Sequence, residues 1–263
     1  MKKIMTYLFP LIILSLSCLL PLKFLIALDE RGEEILREVD QVTSGELAPE
    51  NVQVKMIMEI KTSRGEIRRR ELRVWTKNNL KAEDWRLMKF TSPPDVRDVG
   101  LLVLSETQMY LYLPEFKRIR RIASHNKRES FVGSDFSYED LGVSEFSTFF
   151  WAELIREEET HWELELKRKA DVKKPYSRIK MLVSKESKMP VRLELYDDSG
   201  ELFKVEEQEN SQVGKYWLPT KIIMKNVKKG SETSLEMKEI KVDQVIDEEI
   251  FTERFLKRSM LSQ

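Results

Sequence analysis

The chain has 263 residues, 34% of them charged, and its 45 Lys+Arg balance its 45 Asp+Glu, so no global charge draws it to nucleic acid or an anionic membrane. Its single cysteine, Cys18, leaves no internal disulfide and no thiolate metal site, so stability must come from a packed core. The two histidines, His125 and His161, lack metal-ligand spacing. With no Gly-x-Ser-x-Gly elbow and no Gly-rich phosphate loop either, the chain reads as neither an enzyme nor a holder of a cofactor or metal.

The first residues, Met1-Lys2-Lys3, are basic; residues 4–28 are almost wholly apolar and give way to Asp29-Glu30-Arg31. This is the layout of a signal peptide over residues 1–27, cleaved near Ala27, which predicts a periplasmic mature domain over residues 28–263. Two other readings stay open. About 20 apolar residues can also span a bilayer as an uncleaved anchor, and Ser17 before Cys18 is small enough for lipoprotein processing at that cysteine.

In residues 29–42, Ile35, Leu36, Val39 and Val42 recur at helical spacing, which predicts an amphipathic helix. After Pro49 the period falls to two. Val52, Val54, Met56, Met58 and Ile60 alternate with polar residues and predict a half-buried strand. Thr62-Ser63-Arg64-Gly65 reads as a hairpin turn into a strand over residues 66–77; Asn78-Asn79 turns into a third, over 81–90, stopped by Ser92-Pro93-Pro94. Residues 101–104 and 109–113 read as a strand pair around Ser105-Glu106-Thr107.

In the second half Trp162, Leu164 and Leu166, then Val191, Leu193 and Leu195, mark one-sided strands. Others are expected over 179–183, 202–207, 216–227 and 235–242, and a short helix over 247–257. About ten or eleven strands with short turns predict an antiparallel meander of mainly β, α+β class, one face in solvent and the other curled around a helix or cavity.

Residues 110–142, YLYLPEFKRIRRIASHNKRESFVGSDFSYEDLG, break the alternation, and the connection of about 25 residues from roughly Ser124 to Thr148 is longer than most in compact domains. Tyr112-Leu113-Pro114, Arg118-Ile119-Arg120-Arg121-Ile122 and the block from Phe131 to Leu141 resemble the signature of the outer-membrane lipoprotein-sorting, LolA-like family. Phe90-Thr91-Ser92-Pro93-Pro94, Gly100-Leu101-Leu102 and Tyr216-Trp217-Leu218-Pro219-Thr220 fall in the order that family shows.

The resemblance implies a strongly curved antiparallel sheet forming an incomplete β-barrel, covered by helices and a lid loop, with an apolar cavity for acyl chains. It implies a periplasmic carrier of lipid or of a lipidated protein, with an inner-membrane transporter as a further partner. The competing reading is a non-enzymatic interaction module that docks a transporter or assembly machine.

By the same resemblance, Tyr110, Tyr112, Leu113, Phe131, Gly133, Asp135, Phe136, Tyr138 and Asp140 belong to the cavity or its lid. Asp135 and Asp140 would then pair with Arg118, Arg120 or Arg121, which could alternatively meet a lipid head group. Simpler readings stand beside these. The aromatic residues can be ordinary core, Gly133 a turn residue, and the basic run a solvated strand edge. Methionines 56, 58, 88, 109, 181, 224 and 237 fall in expected strands, where thioethers suit either a cavity for varied chains or a plain core.

Overall fold

The helical spacing of Ile35, Leu36 and Val39 produces helix α1 (Glu30–Thr43), in a computed structural model that describes residues 29–80, 83–142 and 145–260. The leader, anchor and Cys18 readings lie outside those residues. Asp29 caps α1 by accepting from the Arg31 backbone N–H, and the three apolar residues are fully buried.

The rest is built from strands β1 (Asn51–Lys61), β2 (Ile67–Lys77), β3 (Trp85–Ser92), β4 (Gly100–Ser105), β5 (Gln108–Leu113) and β6 (Arg118–Arg121). After a short helix α2 (Phe146–Phe149) come β7 (Phe150–Glu157), β8 (His161–Arg168), β9 (Arg178–Ser184), β10 (Pro190–Tyr196), β11 (Leu202–Val213), β12 (Tyr216–Asn226) and β13 (Ser231–Val242). All pairings are antiparallel, and the single 13-stranded sheet runs β6-β5-β4-β3-β2-β1-β13-β12-β11-β10-β9-β8-β7. Two meanders are thus joined where the first strand pairs with the last. Leu111 on β5 and Phe150 on β7, from opposite ends of the sheet, share one apolar core, so the unclosed sheet curls around it.

This topology accounts for the long connection. Strands β6 and β7 follow each other in sequence but are the two free edges of the sheet, so residues 122–149 have to cross its open side. The expected strand count falls short because these two edges were not legible. The basic run is β6, whose side chains are exposed or half-buried. Strand β7 hides its alternation because Trp151 and Ile155, on its exposed face, are as apolar as the residues they alternate with.

Helix α1 covers the β7 edge. The Asp29 and Glu33 carboxylates each accept a backbone N–H of that strand, from Leu154 and Ala152 respectively, both at 2.6 Å. These are donors an edge would otherwise leave open to another chain. Gly32 permits the approach, since a Cβ there would sit 2.7 Å from the Leu154 nitrogen.

The outer face is not wholly solvent-facing, as the alternation suggested. Trp75, Leu87, Leu102 and Tyr112 form a second apolar cluster with Phe251, Phe255 and Leu256 of the C-terminal segment. The expected terminal helix is two pieces, a 3-10 turn (Glu248–Phe251) and α3 (Glu253–Leu256), broken at Thr252, which is extended and whose side chain accepts from Phe255 N–H. Fully buried Lys89 clasps this segment, donating to Leu256 O at 3.0 Å and to Arg258 O; burial brings its pKa down to about 8. Among the described residues no helix is long and apolar enough to cross a membrane.

Candidate functional site

The crossing connection is fastened to the concave face at successive points. Arg70 on β2 donates to Val132 O. Asp135 accepts from the hydroxyls of Ser231 and Thr233 on β13, and Thr233 in turn accepts from Asp135 N–H at 2.9 Å. The Asp140 carboxylate takes Lys204 Nζ of β11 at 2.7 Å, the Tyr176 hydroxyl at 2.6 Å and the Ser137 N–H at 2.7 Å. Arg86 on β3 donates to Leu141 O at 3.0 Å. Lys174 binds Glu139 at 2.6 Å. These polar anchors come from both halves of the sheet. They neutralise charges that the low-dielectric interior would otherwise penalise.

The connection divides the concave face. Toward the end where β1 finishes and β3 ends, Phe131 stacks on Phe90 with ring centroids 5.5 Å apart and meets Tyr138 edge-on, and with Met58 and Leu72 they form closed core. Toward the end where β1 and β12 begin, a cavity of about 350 Å³ remains. Its walls follow the period-two rule. They comprise Val52, Val54 and Met56 on β1, Val74 and Thr76 on β2, Arg86 and Met88 on β3, and Leu235 and Met237 on β13. Phe136, Asp140, Leu141 and Phe146 of the crossing segment, Val42 of α1, Ala48 in the turn after it and Trp217-Leu218-Pro219 of β12 complete the lining.

The lining is mainly apolar with a few ionisable groups. Glu206 and Gln208, alternate residues of β11, face the cavity, and the Gln208 amide donates to the Glu206 carboxyl. Burial, with the Asp140 charge adding to it, pushes the Glu206 pKa up to about 7. Asp84 is also raised by burial while accepting from Asn79 N–H at 2.8 Å, and burial lowers Arg86. The Asn78 side-chain oxygen is buried without a hydrogen-bond partner.

Of the residues expected at the site, Phe136 and Asp140 line this cavity. Tyr110 and Tyr112 do not. They point to the outer face against the C-terminal segment, while Met109, Leu111 and Leu113 between and beside them point inward. Phe131 and Tyr138 are buried in closed core, and Gly133, at φ +77°, serves the turn that carries the chain to Asp135. Asp135 and Asp140 bind Ser231, Thr233, Lys204 and Tyr176, not the arginines of β6, which correct the expected pairing. Arg118, Arg120 and Arg121 lie exposed on the free edge, where Arg121 donates to Thr107 O at 2.9 Å. Met56, Met88 and Met237 line the cavity, whereas Met58, Met109, Met181 and Met224 are core.

A family model described as uncharacterized-protein-like matches residues 82–258, more than half of the chain. The fold is shared by solved structures that cover nearly all of its described length. A domain named for outer-membrane lipoprotein sorting, from Vibrio parahaemolyticus, is 28% identical over 88% of this chain and 100% of that one, with a TM-score of 0.80. The chain belongs to the family of that model, and its fold is LolA-like. A DUF1329 family protein from Desulfovibrio piger (23% identical, 87% of this chain and 99% of that one, TM-score 0.81) shares the LolA-like fold. So does a LolA superfamily protein from Nitrosomonas europaea (19%, 85% and 98%, TM-score 0.67). No curated protein matches the chain. The cavity lies on the concave side of this LolA-like sheet.

Proposed function

We propose that this protein is an envelope carrier that shields an acyl chain, of a lipid or a lipidated protein, in the cavity between the concave sheet, the end of α1 and the crossing connection. The observation that carries this reading is a mainly apolar cavity of about 350 Å³ held open inside a LolA-like sheet, although the same face is filled by side chains a few residues further along the strands. Each methylene taken from water contributes roughly 0.8 kcal/mol, so one chain drives binding without any covalent chemistry. The carrier is a domain over residues 28–263, exported to the periplasm by the leader over residues 1–27.

In this reading the crossing connection is a fixed wall more than a hinged lid, because charged anchors hold it to several strands, and the chain lies beside Trp217. Native mass spectrometry of gently purified protein, with lipid extraction, tests it. One chain-bearing molecule per protein is expected, and an Ile222→Trp variant that fills the cavity should lose it while keeping its circular dichroism. Protein that arrives empty and refuses added acyl chains would sink the carrier reading and leave the docking module.

A further inference from the structure

Among the described residues the cavity has one base in its lining, Arg86, and its place is specific. Arg86 sits on β3 between Trp85 and Leu87, which face the outer cluster, so it turns inward opposite Thr76 of β2. Its guanidinium carries five N–H donors, of which the structure commits Nη1 to Leu141 O at 3.0 Å. Lys204, a cation beside the cavity, is bound to Asp140, and Asp84, which lies just ahead of β3 and two residues before Arg86, acts on Arg86 through space while accepting from Asn79. A half-buried guanidinium whose one hydrogen bond among the described residues goes to a carbonyl has donors to spare for an anion.

We propose that Arg86 receives the acidic head, carboxylate or phosphate, of a single-chain amphiphile whose tail runs inward over Met88, Met56 and Leu235. This deepens the carrier reading and rests on it. Three observations converge. Arg86 gives a planar fork matched to carboxylate and phosphate oxygens. Asn78 lines the same cavity, and its buried oxygen, without a donor among the described residues, would take one from a hydroxyl of the head group. The volume, about 350 Å³, stands at the low end of the roughly 300–1,000 Å³ range of small-ligand sites, which suits one chain and not several side by side.

Calorimetric titration of the full-length protein with four dodecyl amphiphiles tests this: dodecanoate, monododecyl phosphate, the uncharged dodecyldimethylamine oxide and dodecyltrimethylammonium. The acidic heads are expected to bind about tenfold or more tightly than the other two, the gain of a charge-assisted hydrogen bond. Arg86→Gln should bring them down to the level of the amine oxide, and Arg86→Lys should retain part of the preference. Inorganic phosphate alone should fail to compete, which separates a lipid head from a free anion.

Equal binding of all four heads would overturn the inference and leave the carrier reading standing, as would an acidic preference that survives Arg86→Gln. Effective competition by phosphate alone would also overturn it. Failure of every amphiphile to bind would remove the carrier reading itself. If Arg86→Gln does not fold, the head-group series on the unmodified protein still decides.

Discussion

Replacing Asp140 with alanine should unfasten the crossing connection at its most heavily loaded point. Asp140 and Lys204 are each 5% exposed and 2.7 Å apart, and the same carboxylate also holds Tyr176 and Ser137. A buried ion pair of this kind adds little net stability when intact, because both charges were taken out of water. Removing one partner is different, since it leaves the Lys204 ammonium stranded at low dielectric and strips the Tyr176 hydroxyl of its acceptor. The expected loss is about 3–5 kcal/mol in urea unfolding. The double variant Asp140→Ala, Lys204→Met should recover most of it, because the stranded charge is then gone. A single-variant loss under about 1 kcal/mol would refute the reasoning, as it would mean that the connection is not held by this charge. So would a double variant no better than the single one.

Glu206 predicts a pH dependence. Its folded pKa of about 7 exceeds the unfolded value of 4.5, so between the two the folded state binds more protons. Its contribution to stability is therefore complete below about pH 4.5 and lost as pH rises to about 7, at most about 3 kcal/mol and less where the carboxyl meets water in the cavity. Urea midpoints for the protein and Glu206→Gln should converge in acid and separate in mild base, with the variant the more stable. Phe131→Ala, at a fully buried ring stacked on Phe90, should cost about 3–5 kcal/mol, read by thermal melting. Gly32→Val would drive its Cβ into the β7 backbone and should lift α1 from that edge, seen as faster amide exchange at Ala152 and Leu154.

What the sequence made legible were the elements whose hydrophobic period is clean. Helix α1 and strands such as β1 and β8 bury the residues their spacing selects, because one face of each meets core and the other meets water. The free edges were harder. Strand β6 offers four residues with three arginines, and β7 carries apolar Trp151 and Ile155 on its exposed face, which masks alternation. The family resemblance assigns Tyr110 and Tyr112 to the cavity or its lid, and β5, apolar on both faces, offers no pattern to check it. Period two says that they share a face but not which one, and the covering segment lies more than 130 residues on.

The family signature located the crossing segment but not its partners. Asp135 and Asp140 are answered from β13 and β11, 98 and 64 residues away, a distance that no local pairing of nearby basic residues reveals. The cavity is assembled from alternate residues at the ends of several strands, so Met56, Met88, Glu206 and Trp217 become a site only once register is known.

The central claim is that an acyl chain occupies this cavity, and quenching by a chain brominated near its middle tests it most directly. Trp217 lines the cavity, whereas Trp75 and Trp85 belong to the outer cluster and Trp162 lies beneath Arg31. The account predicts saturable quenching by brominated dodecanoate that is largely abolished in Trp217→Phe. Quenching that persists unchanged in that variant, or no quenching with the unmodified protein, would contradict it.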